Sequence, residues 1–100
     1  EPHRYSRVMS LKQEFAKSFL NSDFVVLCPI YAAGEKKNIG FSQIKFGKLI
    51  SKFSKTQVII IKNYEQIEKY LKRNLMNNEI IIGMGAGAIS KYMRGLKNIL

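Results

Sequence analysis

The chain has 100 residues, of which 46% are hydrophobic, with seven Gly and two Pro. That excludes a disordered or collagen-like chain, and no apolar run approaches the ~18 residues of a membrane span. Seventeen basic against seven acidic residues give a formal charge of +10, which raises a polyanion partner as a class to test.

A chain of this size buries roughly 65% of its unfolded surface, so one domain with one modest core is expected over residues 1–100. The single cysteine, Cys28, cannot form an internal disulfide and points to a cytoplasmic protein. Glu1-Pro2-His3-Arg4 is followed by no apolar stretch of the signal-peptide kind.

In chain order, Pro2 to Arg7 reads as a β-to-α loop. Leu11, Phe15, Phe19 and Leu20 then recur at helical spacing behind Ser10, a candidate N-cap. Phe24 to Cys28 is a continuous apolar run, as expected of a strand covered on both faces. Pro29 closes it, and 31–40 is a loop. Ser42 can cap a helix with Ile44, Leu49, Ile50 and Phe53 on its apolar face. Val58 to Ile61 is a second strand. A helix over 64–75 follows, with Tyr64, Ile67, Leu71 and Leu75 on one side. Ile80 to Ile82 is a further strand, then a glycine-rich turn over 83–87, then a helix burying Ile89, Met93, Leu96 and Leu100.

Apolar strands alternating with helices predict an α/β fold: a Rossmann-like, open, mostly parallel sheet with helices on both faces. In such a sheet ligands bind outside the carboxyl ends of the strands, where the β-to-α loops gather. Those loops here are 3–7, 31–35 and 83–90. The first has no strand before it, so the expectation is a domain whose first strand is truncated.

Three segments have residues suited to binding. Arg4 and Arg7 supply half of the chain's four arginines within the first. A guanidinium grips carboxylate or phosphate through a planar fork, and a helix start adds free N–H groups. Surface pairing of these arginines with carboxylates is the plainer account, and His3 alone is weak evidence for catalysis. In Tyr31-Ala32-Ala33-Gly34-Glu35 the small residues permit close approach, and Glu35 could orient an amine or pair with Arg4 or Arg7. Gly85-Ala86-Gly87 opens a helix after a strand, but no G-K-[ST] follows and the dinucleotide pattern is loose. Close packing of helix on sheet accounts for these glycines. One His and one Cys make neither a metal site nor a catalytic triad. The lysines are scattered, and thirteen Lys, thirteen Ile and seven Asn fit an A/T-rich coding bias as well as a nucleic-acid surface.

Pro2-His3-Arg4-Tyr5-Ser6-Arg7, Tyr31-Ala32-Ala33-Gly34-Glu35 and Gly85-Ala86-Gly87, in that order, resemble the C-terminal domain of the UDP-N-acetylmuramate–L-alanine ligases, of the Mur ligase family. The resemblance implies an ATP- and magnesium-dependent amide synthesis in cytoplasmic peptidoglycan assembly. A muramate carboxylate is phosphorylated to an acyl phosphate, which the amine of L-alanine then attacks.

By position, the resemblance assigns substrate binding to His3, Arg4, Arg7, Tyr31 and Glu35, and cleft shaping to Gly85, Ala86 and Gly87. It assigns no catalytic residue. It also implies that ATP and Mg2+ are bound mainly by a central domain, and that the partners are the enzyme's own N-terminal and central domains, with no nucleic acid and no membrane insertion. Ser90 stands where the family usually has Gly, with Lys91 in place after it. The phosphate-binding and magnesium-binding segments of the family are not in these residues, so the chain alone is expected to be inactive. A stand-alone non-catalytic remnant and a basic nucleic-acid-binding module are the other readings of the sequence.

Overall fold

The computed structural model describes residues 1–100, Ile99 by its backbone. Seven elements follow in order: α1 (Tyr5–Ser10), α2 (Lys12–Lys17), β1 (Phe24–Leu27), α3 (Gln43–Ser54), β2 (Gln57–Ile60), α4 (Tyr64–Asn74) and α5 (Ile89–Ile99). β1 and β2 pair in parallel, from Phe24 opposite Gln57 to Leu27 opposite Ile60. The fold is a small α/β unit with a two-stranded parallel sheet.

Both faces of that sheet are covered, as the continuous apolar strands require. Val25 and Leu27 join Val8, Ala16, Phe46 and Ile50 in one cluster, with Val58 and Ile60 packed against it. The alternate residues, Cys28 and Ile61 with Val26 and Ile59, pack with Ile67, Leu71, Ile89 and Leu96 on the other face. The strand's two-residue period divides the core in this way. Each fully buried aliphatic side chain, Ile50 and Val8 among them, contributes about 1.5–3 kcal/mol.

Local chemistry sets the helix ends. Ser42 caps α3 as expected, its side chain accepting from the Lys45 N–H at 3.2 Å. Asn63 does the same for α4 through the Gln66 N–H at 3.1 Å. Ser54, buried at the end of α3, donates to the Ala16 carbonyl at 2.5 Å and accepts from the Phe19 N–H at 3.0 Å. It thereby ties α3 to the end of α2. Gly47 lets α3 lie close on β2, because a Cβ there would stand 2.9 Å from the Ile60 Cδ1.

Four expectations are corrected. The helix expected behind Ser10 is two short helices, and the first begins at Tyr5. Ser10 therefore lies inside a helix, its hydroxyl bonded back to the Arg7 carbonyl at 3.2 Å. On α3, Ile44 is 59% exposed while Phe46 and Gly47 are buried. At 100° per residue the buried arc is set by Phe46, Ile50 and Ser54, and Ile44 falls outside it. Leu75 and Leu100, at the ends of α4 and α5, are exposed rather than buried.

The fourth correction concerns Ile80–Ile82, which forms no ladder with β1 or β2 and leaves Ile80 88% and Ile82 75% exposed. The reason is positional. The backbone of Glu1 to Arg4 is bonded to Met84 on one side and to Tyr31 on the other, so the chain after Ile80–Ile82 meets Glu1 and not the continuation of β1.

Candidate functional site

The three loops singled out in the sequence converge beyond the carboxyl ends of β1 and β2. His3 forms a parallel bridge with Tyr31. The Tyr31 N–H donates to the Pro2 carbonyl and the Arg4 N–H donates to the Tyr31 carbonyl, both at 2.8 Å. The His3 and Tyr31 rings stack with centroids 5.6 Å apart and planes 10° from parallel. The third loop closes on the same residues: a Cβ at Gly87 would stand 2.7 Å from both the Tyr31 Cγ and the Glu1 Oε1. Glycine is required there because the backbone lies against an aromatic ring.

Arg4 and Arg7 are both exposed. The surface pairing considered for them is not what forms: among the described residues the one ion pair is Lys72–Glu68 on α4. Arg4 is held with φ 60 and ψ 134 at the start of α1, a region that disfavours any residue with a Cβ and costs of order 1–3 kcal/mol. Its N–H bond to Tyr31 fixes the backbone there.

Glu35 does not pair with either arginine. Its carboxylate accepts from the Ser6 hydroxyl at 2.5 Å and from the Ser6 N–H at 3.2 Å. Those bonds, the hydroxyl's first, hold the Glu35 carboxyl below its ordinary value of 4.5, and the Arg4 charge adds a smaller pull in the same direction. Glu35 thus satisfies a free N–H at the start of α1, which is not left open for a ligand. The Ser6–Glu35 link escapes sequence reasoning because the two residues lie on separate loops.

Beside these residues is a cleft of about 320 Å³ lined by Tyr5, Pro29, Ile30, Lys37, Phe41 and Gln43. Gln43 donates to the carbonyls of Leu27 at 3.2 Å and Ile61 at 3.0 Å, joining the ends of the two strands. Lys37, Phe41 and Gln43 are additions to the residues expected from the sequence. No motif marks them, since they reach the site only through the β1-to-α3 loop and the first turn of α3. Across the site, the Tyr64 hydroxyl donates to Glu1 Oε2, and Glu1 Oε1 is buried without a partner.

No family model matches the chain, and no solved structure matches it. Curated proteins do. A UDP-N-acetylmuramate–L-alanine ligase of Pelagibacter ubique (strain HTCC1062) is 44% identical over all 100 residues, which are 22% of that protein. A UDP-N-acetylmuramate–L-alanine ligase of Lachnospira eligens is 43% identical over 91 residues, 91% of this chain and 20% of that one. One of Desulforapulum autotrophicum is 33% identical over all 100 residues, again 22% of its length. The chain spans about a fifth of the length of the curated relatives it matches. The likeness runs from end to end of the chain and includes all three converging loops, so the chain belongs, as one segment of that length, to the UDP-N-acetylmuramate–L-alanine ligase family.

Proposed function

We propose that this segment is the amino-acid-side, C-terminal part of an ATP-dependent ligase that joins L-alanine to UDP-N-acetylmuramate in peptidoglycan synthesis. In this reading Arg4 and Arg7 bind the carboxylate of alanine or a phosphate of the reacting intermediate. Tyr31 and His3 set the wall beside them, and Glu35 fixes the α1 start through Ser6. The observation that carries it is the pair of exposed arginines, free of ion pairs among the described residues, with the Arg4 backbone pinned to Tyr31. A guanidinium without a protein partner is available to an anionic ligand.

The residues of this segment do not fit ATP and Mg2+. Among the described residues no group of three His, Cys, Asp or Glu is gathered for a metal. The turn at Gly85–Gly87 is closed by the Glu1 carboxylate and the Tyr31 ring, where a phosphate would meet a like charge. The reading therefore assigns nucleotide binding and acyl-phosphate formation to other parts of a protein of the relatives' length. The role left to this segment is orienting the acceptor. Among the described residues no helix is long and apolar enough to cross a membrane.

The lysines give the nucleic-acid reading no specific support. They are exposed on α2, α3, α4 and α5 alike instead of gathering on one side of the fold.

The test is steady-state kinetics of Arg4→Ala and Arg7→Ala in the full-length enzyme. Loss of one charged hydrogen-bonding partner costs about 1.5–3 kcal/mol, or roughly 10- to 150-fold in kcat/KM for alanine. Unchanged constants in both variants would remove the arginines from the site.

A further inference from the structure

The lysines as a whole are spread over the fold, but at one seam those of two helices share contacts. α2 and α3 cover the same face of the sheet, with Ala16 of the one and Phe46 and Ile50 of the other in a single core cluster. At one end of the seam, Lys12 and Lys45 line a common depression with Met9, Phe41 and Phe46. At the other, the Lys17 and Lys52 ammonium groups lie 5.7 and 5.8 Å from the centroid of one ring, that of Phe53. Lys48 falls between these two pairs along α3. Lys45, Lys48 and Lys52 are all exposed, on the side of α3 opposite the buried Phe46, Ile50 and Ser54.

Little negative charge balances this face. α3 has no acidic residue and α2 has only Glu14, and none of the five lysines is in an ion pair among the described residues. α4 differs, because Glu65 and Glu68 stand among its basic residues and Glu68 pairs with Lys72. α5 is also free of acids, but its Lys91, Arg94 and Lys97 come from one helix alone. Like charges three and four residues apart on a helix repel, as do the pairs brought together across the seam. The Phe53 ring offsets part of that repulsion. An anionic partner would neutralise the rest.

Three features select the kind of partner. α2 and α3 contain no arginine, so the face offers compact ammonium charges and no planar fork for individual phosphates or carboxylates. The depression at Lys12 and Lys45 is about 40 Å³, which gives no groove for the anchoring side chains of a peptide. Leu11, Ile39 and Ile44 are 45%, 97% and 59% exposed, and each is the chain neighbour of Lys12, Gly40 or Lys45, which line that depression. Exposed aliphatic side chains gain nothing beside a nucleic-acid backbone, which is held through charge and base stacking. They do gain by entering the boundary between lipid headgroups and acyl chains. We propose that the α2–α3 face rests on a bilayer surface containing anionic lipid, with its lysines against the headgroup phosphates and Leu11, Ile39 and Ile44 at the acyl boundary. The segment then lies on the membrane without spanning it. This inference stands apart from the ligase reading, since its test measures vesicle binding and not turnover.

The experiment is cosedimentation of the full-length protein with vesicles of phosphatidylcholine, alone or mixed with phosphatidylglycerol, at about 150 mM salt. One variant changes Lys12, Lys17, Lys45 and Lys52 to Gln. A second changes Lys69, Lys91, Arg94 and Lys97 to Gln, which removes the same charge from α4 and α5. The pairs Lys12/Lys45 and Lys17/Lys52 are also changed separately, so the comparison stands if the first variant fails to fold. The parent should sediment with the phosphatidylglycerol vesicles alone. The first variant should bind them at least about tenfold more weakly, each pair by several-fold, and the second within roughly threefold of the parent. Three results overturn the proposal: no binding to phosphatidylglycerol vesicles; losses that are absent or no larger in the α2–α3 variants than in the α4–α5 variant; or tighter binding of the same lysines to single-stranded RNA or polyglutamate than to the vesicles, which would make a nucleic acid or an acidic protein the partner.

Discussion

Replacing Gly87 by Ala tests whether the glycine-rich turn is built to meet Tyr31. The added Cβ would stand 2.7 Å from the Tyr31 Cγ and 2.9 Å from its Cδ1. Glu1 Oε1, the far end of a flexible side chain, can move aside. The Tyr31 Cγ cannot easily do so, because the backbone behind it is bonded to Pro2 and Arg4. Overpacking of this kind costs about 1–3 kcal/mol. Loss of glycine's freedom in the unfolded chain returns about 0.4–1 kcal/mol. The net expectation is a loss of roughly 0.5–2 kcal/mol. With a urea slope of about 1–3 kcal/mol per molar, the midpoint should fall by roughly 0.5 M. Gly95→Ala is the internal control: it lies within α5 with nothing inside 4 Å of its would-be Cβ, and should gain about 0.5–1 kcal/mol. In a double-mutant cycle, Tyr31→Ala should relieve the Gly87→Ala defect by at least about 0.5 kcal/mol. A midpoint that rises for both glycine variants, with no coupling to Tyr31, would refute the contact and with it the convergence of the second and third loops.

Two further outcomes follow from the hydrogen bonds. Ser54→Ala strands the Ala16 carbonyl and the Phe19 N–H beneath the α2–α3 contact and should cost about 1–3 kcal/mol by chemical denaturation; a loss under about 0.5 kcal/mol would place water at that site. The Ser6 bonds lower the folded-state value of Glu35, so their stabilisation is present above the unfolded carboxyl value and lost as pH falls through the folded one. A Ser6→Ala chain should accordingly lose less stability than the parent on acidification below about pH 4.5, and superimposable pH profiles would exclude the link.

Much of the element order can be read in the sequence because it rests on local rules. Continuous Val, Leu and Ile runs give β1 and β2. Apolar residues at helical spacing give α3 to α5. The Ser42 side chain ends one loop by capping the helix after it. The same rules misplace the first helix, because Tyr5 to Ser10 is held helical by Glu35 from a distant loop and not by its own cap. They also misplace Ile44, where one residue's position around α3 decides exposure.

For the site, residue type alone selects Arg4 and Arg7, since exposed guanidinium groups near a strand end suit an anion. The stack of His3 on Tyr31, the diversion of Glu35 to Ser6 and the entry of Gln43 and Lys37 beside them depend on loops that meet only in the folded chain.

Ile80–Ile82 marks the boundary between the two kinds of information most clearly. Composition specifies that these residues favour an extended, buried conformation. Whether they become a strand depends on a neighbouring backbone at hydrogen-bonding distance, which no local pattern can supply, and among the described residues neither β1 nor β2 pairs with them.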